Sequence, residues 1–198
     1  MRTLIIATNN KDKLKEIKAI LKDTDINILS KKDFEDFPEV EETGETLEEN
    51  ALLKARAVYE KYGLACMADD TGLEVDCLDG DPGVYSSRYA GENASYDDNC
   101  RKLQSMIALE PEDNRSARFR TVVAFIDNEG REYTAYGKIE GEIIDEKRGQ
   151  NGFGYDPLFY LPSRGKTLAE LPSEEKNKIS HRHNALVNIL PVIIDKLT

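Results

Sequence analysis

The stretch Ala65-Cys66-Met67-Ala68 is apolar and runs straight into two adjacent carboxylates, Asp69 and Asp70. Strand-like alternation then resumes at Leu73, Val75 and Cys77. An acid in apolar surroundings is costly unless something pairs with it. Any fold that buries this stretch must therefore bring partners to both acids, and the rest of the chain can be searched for them.

The flanking pattern is mixed α and β. Residues 3–8 and 25–30 read as strands, and 11–22 as a helix with Leu14, Ile17, Ile20 and Leu21 at helical spacing. Residues 31–45 form an acidic connector. Thr46-Leu-Glu-Glu49 fits a capping box and opens a second helix that Gly63 should stop. Strands are expected at 64–68 and 73–78, one on each side of the acids, followed by a turn at 79–83. Ser95 is a candidate N-cap for a helix over 95–109. Residues 117–126 and 131–145 read as a hairpin around Asn128-Glu-Gly130. A glycine-rich segment (149–154), a short strand (158–161) and helices from about 173 and 180 complete the chain, and Pro191 should kink or interrupt the last helix. This order predicts an α/β chain with a mixed sheet and helices on both faces. At 198 residues it suits one domain over 1–198.

Composition excludes several classes. Hydrophobic content of 39% and charged content of 33% are ordinary for a globular protein, and the net charge is −11. An acidic chain is a poor partner for nucleic acid or an anionic membrane. The three cysteines, Cys66, Cys77 and Cys100, form no CxxC pair and predict no disulfide framework. No apolar run approaches the roughly 20 residues of a membrane span. The apolar part of the start is too short for a signal peptide. A cytoplasmic location is the expectation.

Cations occur where local rules disfavour them. Asn9 or Asn10 can cap the first helix, yet Lys11 and Lys13 stand in its first turn, where a helix is already positive. Two readings stand: the lysines point into solvent, or N–H groups, dipole and ammonium groups converge on an anion such as phosphate. His181 and Arg182 repeat the pattern after Ser180, with Lys176 just upstream. Lys54 falls on the apolar stripe of its helix with Leu47, Ala51 and Val58, so it either lies along the edge or faces a polar pocket.

Acids and glycines add two further parts. A hard cation such as Mg²⁺ takes one or two carboxylates plus phosphate and water, which Asp69-Asp70 with one distant glutamate would supply. In GQNGFGYDPLF (149–159) the glycines allow close backbone approach, and Phe153 or Tyr155 could stack on a base. The segment is otherwise a tight turn before a strand. An anion site, a metal site and an aromatic loop together match the phosphates, metal and base of a nucleoside triphosphate.

Five stretches between residues 4 and 182 carry a resemblance: LIIATNNKDKLKEI, EETGETLEENALLKAR, ADDTGLEVDCLDGDPGVYSSRYAG, GFGYDPLF and KTLAELPSEEKNKISHR. In this order they resemble the inosine triphosphate pyrophosphatase family, which removes non-standard purine nucleoside triphosphates. The resemblance implies an elongated mixed α/β fold of two lobes with the active site in the cleft between them. It also implies hydrolysis of inosine, deoxyinosine and xanthosine triphosphates to monophosphate and pyrophosphate, Mg²⁺ dependence and a homodimer. By matching position, Thr8, Asn9, Asn10, Lys11, Asp12 and Lys13 would form the phosphate loop. Glu41 and Asp70 would hold the metal, with Asp70 also accepting the proton of the attacking water. Lys54 and Asp69 would assist. Thr71, Phe153, Gly154, Tyr155, Asp156, Lys176, His181 and Arg182 would contact substrate. Asp12 departs from the glycine often found there and sets a negative charge near the expected phosphates.

Overall fold

Leu4 and Ile6 pack into one buried cluster while Ile5 and Ala7 pack into another, so the first strand is apolar on both faces. That is the pattern of a strand with helices on either side. In this computed structural model, which describes residues 2–197, it is β1 (Arg2–Ile6). β1 pairs in parallel with β2 (Ile26–Leu29) and with β3 (Cys66–Val75). The chain continues through β4 (Pro82–Gly83), β5 (Ser116–Ile126), β6 (Glu132–Ile143), β7 (Phe159–Leu161) and β8 (Lys166–Thr167). The strand order is β2-β1-β3-β5-β6-β7-β8, with β4 beside β3. The β3–β4, β6–β7 and β7–β8 pairs are antiparallel, so the sheet is mixed as expected.

Among the described residues five α-helices accompany the strands: α1 (Lys11–Ile20), α2 (Leu47–Tyr62), α3 (Tyr96–Ile107), α4 (Ser173–Ile179) and α5 (His181–Lys196). Their ends follow local chemistry. Thr46 accepts from the Glu49 amide, and the Glu49 carboxylate accepts from the Thr46 amide. At the other end of α2, Gly63 takes φ +62°, a left-handed turn in which glycine carries no Cβ penalty. Ser95 caps α3 in the same reciprocal way with Asp98. α5 runs through Pro191 and keeps its helical span to Lys196. None of the helices among the described residues is long and apolar enough to cross a membrane.

The fold divides into two compact units, each assembled from separate stretches of chain. The first gathers the chain up to Asp70, Thr121–Gly137 and the chain from His181 onward; the second holds Thr71–Arg120 and Lys138–Ser180. Within the first unit one cluster packs β-strand residues against Ile17 and Leu21 of the α1 region and Ala185, Leu186, Ile189 and Ile193 of α5. The other packs them against Ala51, Ala55 and Val58 of α2. The second unit has one core, around Leu103 and Ile107 of α3, Phe119 of β5 and Phe159 of β7. The cysteines are free, and Cys66 is buried with its thiol pushed up to about 12 by burial.

One expectation is corrected. The acid pair does not separate two strands: β3 is continuous through Asp69 and Asp70. Each carboxylate meets a cation from another element, and the strand runs on through them.

Candidate active site

Alternation along β3 sends neighbouring side chains to opposite faces. Ala65 and Met67 lie in the cluster with α1 and α5, whereas Cys66 and Ala68 lie in the cluster with α2. Asp69 continues the first series and Asp70 the second. Two adjacent acids, 1% and 4% exposed, therefore meet different cations.

On the α1 and α5 face, Asp69 Oδ2 lies 3.3 Å from Lys13 Nζ and accepts from Arg182 Nε and Nη2, each at 3.2 Å. Arg182 Nη1 donates to Glu16 of α1 in a short contact. The Arg182 side chain is 1% exposed. Burial alone would raise the Asp69 carboxyl, but Lys13, Arg182 and Lys54 outweigh it and hold the group well below the usual carboxylate range. Burial lowers the Lys13 ammonium, which Asp69 only partly restores. For Arg182 burial is outweighed by Asp69 and Glu16, which keep its charge fixed.

On the α2 face, Lys54 Nζ donates to Asp70 Oδ1 at 2.9 Å, to Glu42 Oε1 at 2.8 Å and to the Asp69 carbonyl at 2.7 Å. The stripe position of Lys54 thus faces a polar group of acids and not the solvent edge. The Asp70 carboxyl is shifted upward, by burial first, with Lys54 and Lys13 offsetting only part of it and Glu42 adding to it. Asp70 Oδ2 is buried with no hydrogen-bond partner among the described residues.

This donor set fits a hard divalent cation. Glu42 and Asp70 already share one positive group, and Asp70 keeps an oxygen in reserve. Among the described residues no three His, Cys, Asp or Glu side chains gather in a metal-holding group. The protein would thus supply one or two carboxylates, the number Mg²⁺ takes when phosphate and water complete its shell. The connector brings Glu42, and not its neighbour Glu41, to this group; Glu41 is exposed.

At the start of α1, Asn10 is the cap: its Oδ1 accepts from the amides of Asp12 and Lys13 at 2.9 and 3.1 Å. Two of the donors expected to face phosphate are therefore taken by the cap. Thr8 Oγ1 accepts from the Asn10 amide at 3.2 Å. Asn9 and Lys11 are exposed, while Asp12 and Lys13 are half-buried. His181 opens α5 and is buried.

The second unit holds the glycine loop. Asp156 Oδ2 accepts from the Phe153 amide at 2.9 Å and from Lys176 Nζ at 2.5 Å. Lys176 also sits 4.8 Å from the centre of the Phe153 ring, a cation–π contact. Gly152 has φ +74°, and a Cβ there would lie 2.0 Å from Asp156 Oδ2, so this turn requires glycine. Gly154 follows with φ +62°. Phe153 is half-buried and lies 5.8 Å from the Tyr96 ring. Tyr155 instead belongs to the core, 4% exposed, with its hydroxyl donating to the Ser86 carbonyl. Of the two aromatics offered for base stacking, only Phe153 lies outside the core. Thr71 is half-buried on β3, directly after Asp70.

Three residues escaped the sequence reading. Glu16 lies three residues after Lys13, on the buried side of α1, and its spacing from Lys13 was the available signal. Glu42 was hidden in an acidic run whose members look alike. Asn50, fully buried on α2, had no signal beyond its place beside Ala51.

Comparison with known proteins finds relatives in both sequence and fold. The model of the Ham1 family matches residues 4–192. A dITP/XTP pyrophosphatase of Geobacter sulfurreducens is 53% identical over 186 residues, covering 94% of each chain. A dITP/XTP pyrophosphatase of Thermoanaerobacter sp. is 50% identical over 194 residues, covering 98% of each. Among solved structures, a HAM1 protein of Coxiella burnetii superposes with a TM-score of 0.88 at 41% identity, covering 98% of this chain and 100% of that one. The Ham1 protein of Staphylococcus aureus gives 0.85 at 41% identity, covering 98% of each. With a family model spanning nearly its whole length and relatives at half identity, this chain belongs to the Ham1 family.

Proposed function

We propose that this chain hydrolyses inosine, deoxyinosine and xanthosine triphosphates to the monophosphate and pyrophosphate, with Mg²⁺. The observation that carries the reading is Asp70: a buried carboxylate with one oxygen fixed by Lys54, the other without a hydrogen bond among the described residues, and its proton affinity raised. A carboxylate of that kind is suited to take a proton from water. Asp70 Oδ2 accepts the proton of the water that attacks the α-phosphorus, and pyrophosphate leaves. Asp70 and Glu42 would hold Mg²⁺, which when bound would supply charge neutralisation at the phosphates. Lys54 keeps the two carboxylates together. Lys13 meets the phosphate tail, and Asp69 holds Lys13 and Arg182 in place. Phe153 offers the stacking face for the base, with Lys176 and Asp156 fixing its loop. Positioning and charge stabilisation are the main demands of this chemistry, so no covalent nucleophile is required. The same reading makes the protein a cytoplasmic homodimer whose mass light scattering would measure.

The test is pyrophosphate release across inosine, xanthosine, adenosine and guanosine triphosphates, with Mg²⁺ and with chelator. The expected result is kcat/KM for the first two well above the others, and loss of turnover in chelator. The 6-oxo group separates inosine and xanthosine from adenosine, and the 2-amino group separates them from guanosine. A site that hydrogen-bonds the correct base leaves buried groups unpaired with the wrong one, which discriminates strongly. Equal turnover of adenosine and inosine triphosphates would reject the assignment. Binding without release would make the protein a nucleotide sensor instead.

Lys13→Ala tests the phosphate assignment separately. It is expected to weaken triphosphate binding by about 1.5–3 kcal/mol, roughly 10- to 150-fold, with little effect on the monophosphate. Calorimetric titration of both ligands measures this. An equal loss for the two places Lys13 away from the phosphate tail.

A further inference from the structure

Asn50 is a polar side chain with no exposed surface, set among the alanines of α2. Such a residue is retained only with partners. Its Oδ1 accepts from the Gly44 amide at 2.8 Å, and its Nδ2 lies 3.5 Å from the Gly44 carbonyl. Both backbone groups of one connector residue thus face one buried side chain. Gly44 lies two residues after Glu42, whose carboxylate meets Lys54 at 2.8 Å. Asn50 and Lys54 are four apart on α2 and share a face. One turn of helix therefore grips the connector twice, by its backbone at Gly44 and by its acid at Glu42. The fit at Gly44 is close: a Cβ there would lie 2.7 Å from Asn50 Oδ1 and 2.7 Å from Glu49 Cβ. The connector is exposed at Glu41, Thr43 and Glu45, so it has little burial of its own to hold it.

We propose that Asn50 is a positioning residue for the metal-binding carboxylates, acting through Gly44 to hold Glu42 beside Asp70. The inference rests on the reading of Glu42 and Asp70 as cation ligands. A side chain that orients a ligand from behind typically accounts for about 10- to 100-fold in metal affinity. A merely structural role for Asn50 would lower thermal stability and leave that affinity unchanged.

The experiment measures Mn²⁺ affinity directly, by electron paramagnetic resonance of free Mn²⁺, in the intact chain without substrate. Asn50→Ala is expected to weaken Mn²⁺ binding by about tenfold. Gly44→Ala, which disturbs the same grip from the connector side and keeps the Asn50 side chain, is expected to weaken it in the same direction. In a Glu42→Gln background, Asn50→Ala should cause no further loss, because its effect travels through Glu42. Affinity within twofold of wild type in both Asn50→Ala and Gly44→Ala would overturn the proposal. So would an undiminished loss from Asn50→Ala in the Glu42→Gln background. Absence of Mn²⁺ binding in the wild-type protein is a separate result, and it would overturn the underlying metal reading itself.

Discussion

Asp70→Asn is expected to lower kcat by about 10²–10⁴-fold while leaving the fold intact, since removing a positioned general base typically has that effect. Asparagine keeps an oxygen for Lys54, and Lys54 keeps Glu42 and the Asp69 carbonyl as further acceptors. The stability change has a definite sign. The native Asp70 carboxyl binds its proton more tightly than an unfolded one, so ionising it at neutral pH works against folding. Removing that charge should leave Tm unchanged or slightly higher. The measurements are pyrophosphate release, Tm, and Kd for a non-hydrolysable triphosphate, which should be retained in part. Turnover above about a tenth of wild type would place the chemistry elsewhere.

Asp69→Asn should behave in the opposite way. Its loss leaves the buried guanidinium of Arg182 with Glu16 and strips Lys13 of its nearest carboxylate. Breaking a buried ion pair from one side costs about 3–5 kcal/mol. For a chain of this length each kcal/mol is worth about 2–4 °C, so Tm should fall by about 10 °C. The pH dependence follows from the depressed carboxyl of Asp69. Its contribution is present above the ordinary carboxylate range, near about 3.9, and is lost as pH falls through the lower native value. The stability difference between wild type and Asp69→Asn should therefore be full at pH 7 and shrink below about pH 4. A fall in Tm of less than about 2 °C would show that Asp69 is not the hub of this network. The two acids are adjacent in the chain, and the contrast between the variants tests whether the faces of β3 divide structure from chemistry.

Much of the fold was legible because its signals are local. The α2 start needed only Thr46 and Glu49, its end only Gly63, and α3 only Ser95 and Asp98, since each cap closes within a few residues. The apolar run of β1 and the periodicity of α1 predicted their burial. Lys13, Lys54 and Arg182 were legible as anomalies, charges set where a helix start or an apolar stripe disfavours them.

The limits of that reading lie where partners come from far along the chain. The acids of β3 read as a break between two strands because no neighbour in sequence could neutralise them; Lys13, Lys54 and Arg182 arrive from three other elements and keep the strand whole. Tyr155 and Phe153 are two residues apart and equally aromatic, but only packing sent Tyr155 to the core and left Phe153 half-buried. Glu41 and Glu42 are indistinguishable as letters. The grip of Asn50 on Gly44 decides which of them reaches Lys54. Local order along the chain specified most elements, their caps and the set of charges available to the site. Tertiary structure alone decided which charge meets which, because Coulomb and hydrogen-bond energies in a buried site depend on ångström distances between groups that lie dozens of residues apart.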